Sequence, residues 1–181
     1  LRRADGREFW IHDFAFTYSE GLSLDIQQRN DTLQDAFIHI VRGDAENYAF
    51  NRLVLTAGLP WRDVALLRAY ARYLKQIRLG FDLGYIASTL NNHTDIAREL
   101  TRLFKTRFYL ARKLTQDDLD DKQQRLEQAI LTALDEVQVL NEDRILRRYL
   151  DLIKATLRTN FYQPDANGQN KSYFSFKFNP K

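Results

Sequence analysis

The chain has 181 residues, 44% of them hydrophobic and 28% charged, with 27 Lys and Arg against 24 Asp and Glu for a formal net charge of +3. That length suits one domain with a sizeable core, and no apolar run is long enough to span a bilayer. The lack of cysteine excludes disulfides, thiolate metal sites and a cysteine nucleophile, while the near-balanced charge argues against a dedicated nucleic-acid binder.

Residues 1–8 are charged and no secretory signal follows them, so the expected compartment is the cytoplasm. There is no methionine, even at position 1, so the chain is expected to be part of a longer polypeptide.

Residues 7–18 (REFWIHDFAFTY) read as an incoming strand, with Trp10, His12, Phe14, Phe16 and Tyr18 on one face. Asp31 or Thr32 can cap a helix with apolar positions Leu33, Ala36, Phe37, Ile40 and Val41, which Gly43 stops. Residues 44–78 then predict two helices around a corner at Gly58-Leu59-Pro60-Trp61. Asp44 caps the first. Gly58 supplies a left-handed φ, Leu59 folds back, and Pro60 opens the second helix. Phe50, Leu53, Val54 and Ala57 face the core from the first arm, and Val64, Leu67, Tyr70, Ala71, Leu74 and Ile77 from the second.

The glycines of RLGFDLGY predict a turn before a short helix at 83–90. Asn91, Asn92 or Thr94 can cap the next helix, whose apolar side holds Ile96, Leu100, Phe104, Phe108 and Ala111. Thr115 to Asp118 approximates a capping box. It opens a long helix with a seam of Leu126, Ile130, Ala133, Val137 and Leu140. A helix over 142–159, capped by Asn141, is apolar over more than half its circumference and leaves a stripe of Arg147, Asp151, Lys154 and Arg158. Turn-rich residues 163–171 precede SYFSFKFN, which puts Phe174, Phe176 and Phe178 on one face. The fold class is therefore mainly α: a single module of about six bundled helices over 31–160, with aromatic strands at 7–18 and 172–178. A lone hairpin is marginal in water, so the two strands are expected to pair with each other or with a sheet elsewhere in the polypeptide.

Chemistry is hard to find. The glycines are too dispersed to cradle phosphates, and no H-E-x-x-H or G-x-S-x-G occurs. His12 beside Asp13 could be an oriented base but lies in an aromatic strand, and neither His39 nor His93 has ligand spacing with another His or carboxylate. Asp117, Asp118, Asp120 and Asp121 read as the first turns of a helix, favoured by its dipole, rather than a cation loop. KSYFSFKF lacks the glycines of an RNA-stacking strand, so core packing explains its aromatics. The basic residues Arg62, Arg68, Arg72, Lys75 and Arg78, with Arg98, Arg102, Lys105 and Arg107, form a solvated face or an interface. Arg52 and Arg158, set among apolar neighbours, are expected in buried ion pairs. No residue is assigned a catalytic, cofactor-binding or metal role.

AENYAFNRLVLTAGLPWRDVALLRAYARYLKQ, DIARELTRLFKTRF, DRILRRYLDLIKATLRTNFYQ and KSYFSFKFNP, in that order, resemble a segment of the large bacterial NAD-dependent glutamate dehydrogenases. The likeness is most distinctive at FNRLVLTAGLPWRDV and ILRRYLDLIKATLRTNFYQ and weakest at 20–32 and 115–140. It implies a helical segment immediately before the catalytic domain, within an enzyme that oxidatively deaminates L-glutamate to 2-oxoglutarate and ammonia with NAD. No motif of that family's catalytic or dinucleotide sites occurs here. The resemblance therefore implies a non-catalytic scaffold, inactive and NAD-free alone, whose partners are the rest of its own chain in a homo-oligomer, without nucleic acid or membrane. The alternative is a freestanding helical domain docking an acidic partner or nucleic acid on its basic helices.

Overall fold

At Gly58 the backbone takes φ +63°, a conformation that penalises any Cβ. The next residue, Leu59, is buried and donates its N–H back to the Leu53 carbonyl at 3.2 Å. Pro60 ends the reversal as the N-cap of the following helix, its carbonyl accepting from Asp63 and Val64 at 2.9 and 3.1 Å. The corner expected from Gly-Leu-Pro-Trp therefore forms.

The computed structural model describes residues 26–43, 49–109, 115–171 and 173–179. Its elements are α1 (Ile26–Val41), a 3₁₀ turn (Ala49–Asn51) continuing into α2 (Arg52–Thr56), α3 (Trp61–Gln76), α4 (Leu83–Asn92), α5 (Thr94–Phe108), α6 (Gln116–Asp135), α7 (Leu140–Ala155), β1 (Thr156–Thr159) and β2 (Phe176–Phe178). The fold is mainly α, as expected. The strand expected at 7–18, the cap at Asp44 and the apolar position Ala111 lie outside the described residues.

Side chains from α2 to α7 build one core, with Phe50, Leu53, Leu67, Tyr70, Ile86, Leu100, Phe104 and Tyr149 fully buried. Gly43, at φ +81°, stops α1 as expected, but Phe37 and Val41 on that helix are exposed and only Ala36 is fully buried. Ile77, the C-cap of α3, is half exposed. Asp82 caps α4, its carboxylate accepting the Tyr85 N–H at 2.9 Å. The cap of α5 differs from expectation. His93 occupies that position without a side-chain bond, while Asn91 bonds the Ala87 carbonyl at 2.8 Å and accepts from Thr56 at 3.0 Å.

Thr115 and Asp118 close a complete capping box on α6. The α6 seam is shorter than expected. Ile130 and Leu134 are buried, but the helix ends at Asp135 and Leu140 is 78% exposed as the first residue of α7. The largest departure is at the end of α7. The chain leaves the helix at Ala155 rather than 159 and runs directly into β1, which pairs antiparallel with β2 (Thr156 opposite Phe178, Thr159 opposite Phe176). Leu157, read as a core position, is exposed at an irregularity in that register. The exit strand thus finds a partner only about twenty residues upstream. Its alternation holds: Phe174, Phe176 and Phe178 stack on Phe161, Tyr70 and Tyr73 at ring distances of 5.4, 4.7 and 4.4 Å, the core packing anticipated for them.

Candidate functional site

Among the described residues, the most buried charge lies at the start of α3. Asp63, 3% exposed, forms an ion pair with Lys105 of α5. Burial pushes its carboxyl above the ordinary range, and the bond to Lys105 opposes that shift. The preceding residue, Arg62, points the other way. Its guanidinium donates to the carbonyls of Phe161 and Lys171 and lies 4.7 and 5.0 Å from the rings of Phe161 and Phe174. Burial lowers its pKa, but an arginine stays charged even so. Arg107 of α5 likewise donates to the carbonyl of Lys154 at 3.1 Å and to the side chain of Gln123 at 3.2 Å.

Deeper still, the Tyr70 hydroxyl meets Thr156 Oγ1 at 2.8 Å, and the Tyr149 hydroxyl donates to the Leu67 carbonyl at 2.9 Å. Burial raises both phenol pKa values, so both rings are neutral hydrogen-bonding groups. At the α4–α5 corner, Glu142 in the first turn of α7 contacts His93 Nε2 at 2.7 Å and accepts from Asn92 at 2.9 Å. His39 stacks on Trp61 with ring centroids 4.1 Å apart. His12 and Asp13 are outside the described residues.

The basic residues singled out in the sequence are thus dispersed through the fold. Arg98 and Arg102 pair with Asp95 and Glu99 on their own helix, while Lys105, Arg62 and Arg107 tie separate elements together. The expectation for Arg52 and Arg158 is corrected. Both are exposed, and among the described residues the buried charges are instead Asp63 and Arg68. An arginine inside an apolar run shows that the run is amphipathic, not which side faces the core.

Two open grooves stand out among the described residues. One, of about 570 Å³, runs between α3 and the C-terminal aromatic segment, past Trp61, Arg68, Arg72, Tyr73, Tyr173 and Phe176. The other, of about 410 Å³, is lined by Leu74, Ile77, Arg78, Arg144, Arg148 and Asp151, among others. Neither His39 nor His93 lines them. Among the described residues, no three His, Asp or Glu side chains converge as a metal requires, and no helix is long and apolar enough to cross a membrane.

The chemistry legible here is that of holding helices together, and the comparisons say in what kind of protein. Residues 45–110 match the family model described as glutamate dehydrogenase, helical motif 3, and residues 129–181 match bacterial NAD-glutamate dehydrogenase, catalytic domain. The class is therefore a segment of a glutamate dehydrogenase polypeptide. The NAD-specific glutamate dehydrogenase of Pseudomonas aeruginosa is 87% identical over 181 residues, all of this chain and 11% of that protein. Those of Halomonas elongata and Mycobacterium tuberculosis are 48% and 36% identical over 98% and 90% of this chain, and 11% and 10% of their own lengths. The chain belongs to the NAD-specific glutamate dehydrogenase family, and it spans about a tenth of the length of the curated relatives it matches. The family resemblance seen in its motifs is borne out, but the expected placement wholly before the catalytic domain is corrected, because residues 129–181 match the catalytic-domain model. The second family model begins within α6, so its match takes in α7 and both strands.

Proposed function

We propose that this segment is a non-catalytic scaffold within an NAD-dependent glutamate dehydrogenase. The whole polypeptide, in this reading, is a cytoplasmic homo-oligomer that oxidatively deaminates L-glutamate to 2-oxoglutarate and ammonia with NAD. One observation carries the scaffold role: Lys105, Arg62 and Arg107, cations of the kind that could hold a carboxylate or a phosphate, are turned inward to Asp63 and to main-chain carbonyls. Bound in that way they brace α3, α5 and the segment after α7.

The described residues do not fit a dinucleotide either. NAD folds place the pyrophosphate on a glycine-rich turn between a parallel strand and a helix, whereas β1 and β2 are antiparallel and α7 leads into β1 rather than following a strand. In the proposed enzyme NAD supplies the hydride acceptor, and this segment's residues serve to position neighbouring domains. Titration of NAD into the 181-residue chain by calorimetry tests the reading. No saturable heat is expected with or without L-glutamate, and saturable NAD binding would overturn the scaffold role.

A further inference from the structure

We infer that the two stretches matched by separate family models, 45–110 and 129–181, are one cooperative folding unit. In it, the face presented by α3, α4 and α5 is the binding surface for α7, β1 and β2. The partner of the helical motif is then the opening segment of the catalytic-domain stretch itself, recognised through buried tyrosines and aromatic stacking.

The argument starts with what covers α7. Ile145, Leu146, Tyr149 and Ile153 are each 1% exposed or less, and α7 packs against α3, α4 and α5 as well as α6. From its own side of the boundary α6 contributes Ile130 and Leu134. Most of the remaining cover comes from α3, α4 and α5 on the helical-motif side. A helix with this wide an apolar face is stable only when sandwiched, and a piece as short as 129–181 falls in the size range where isolated cores are marginal.

The polar contacts across the boundary are specific as well. The Tyr149 hydroxyl reaches from α7 to the Leu67 carbonyl of α3, and the Tyr70 hydroxyl of α3 reaches Thr156 where α7 becomes β1. Arg62 grips the Phe161 and Lys171 carbonyls, Arg107 grips that of Lys154, and Glu142 receives Asn92 and His93. Tyr70 and Tyr73 stack on Phe176 and Phe178, and Phe104 meets Phe161 edge-on at 5.2 Å. Each side thus leaves buried donors, acceptors and rings that the other completes. This inference goes beyond the scaffold reading and does not depend on NAD binding.

Native-state hydrogen exchange by mass spectrometry, on the 181-residue chain in increasing urea, tests it. Amides of α4 and α5 and amides of α7 are expected to merge into one isotherm with the same slope, the signature of a single opening reaction. Tyr149→Phe removes one buried hydrogen bond and should lower protection on both sides alike, by about fivefold to tenfold. Separate isotherms, with α7 opening while α4 and α5 stay protected or the reverse, would overturn the inference. So would a Tyr149→Phe effect confined to α7. Should that variant fail to fold, the wild-type isotherms still decide.

Discussion

Replacing Lys105 with Met leaves the carboxylate of Asp63 buried beside α5 with its direct cation gone. Removing one partner of a fully buried pair costs about 3–5 kcal/mol, whereas exposed pairs contribute about 0–1 kcal/mol. Asp63 is 4% exposed at its side chain but Lys105 is 35% exposed, so water screens part of the loss and about 2 kcal/mol is expected, between those limits. For a chain of this size that lowers Tm by about 4–8 °C. The loss should depend on pH. The folded carboxyl already titrates above its ordinary value because burial outweighs Lys105, so it binds a proton more readily folded than unfolded, and stability declines as pH rises through the folded value. Without Lys105 that value moves further up. The penalty is then full above it and fades as pH falls toward the unfolded value. Urea denaturation followed by far-UV circular dichroism, at about pH 7.5 and about pH 5, measures both terms. Asp63→Asn with Lys105→Met should recover about 1–2 kcal/mol of the single-variant loss. An equal loss at both pH values, or strict additivity in the double variant, would refute the reasoning.

Thr115→Ala should cost about 1 kcal/mol by opening the capping box, seen as faster amide exchange in the first turn of α6. Because the bonds from Thr115 lower the Asp118 pKa, the same turn should fray as pH falls through that lowered value, and hold above the unfolded one. Arg78 sits just past the end of α3 at φ +60°, where a Cβ costs about 1–2 kcal/mol. Arg78→Gly should relieve that strain and, after about 0.4–1 kcal/mol of added unfolded-state entropy, leave a chain as stable or up to about 1.6 kcal/mol more stable in urea. Arg62→Lys loses the forked grip on two carbonyls and the planar stacking on Phe161 and Phe174. A loss of about 1–2 kcal/mol is expected, with nuclear magnetic resonance shifts concentrated in residues 160–176.

What could be read from sequence was what is local. The Gly58-Leu59-Pro60 corner, the Gly43 stop and the Thr115 box are each encoded within a few residues by chemistry with no equally good alternative. The helical faces of α3 and α5 were legible because their apolar positions repeat at the helical period through four turns. The end of α7 was not. Leu157 continues the same spacing past Ala155, and nothing nearby announces that Thr156–Thr159 will pair with a strand about twenty residues on. The Asp63–Lys105, Tyr149–Leu67 and His93–Glu142 contacts were invisible for the same reason, since each joins residues 42 or more positions apart. The only available hint was Asp63 in the first turn of α3, and dipole stabilisation explains such an acid equally well.

Thr156 is at once the cap of α7 and the first residue of β1, with its hydroxyl held by the Leu152 carbonyl at 2.7 Å and the Tyr70 phenol at 2.8 Å. No spare residue separates helix from ribbon, so the register irregularity between Thr156 and Arg158 is the first point where a rotation could be absorbed. Twisting α7 about its axis swings Phe176 and Phe178 as a crank swings with its shaft. A displacement imposed at the Glu142 end would therefore be carried along α7 toward the aromatic ribbon.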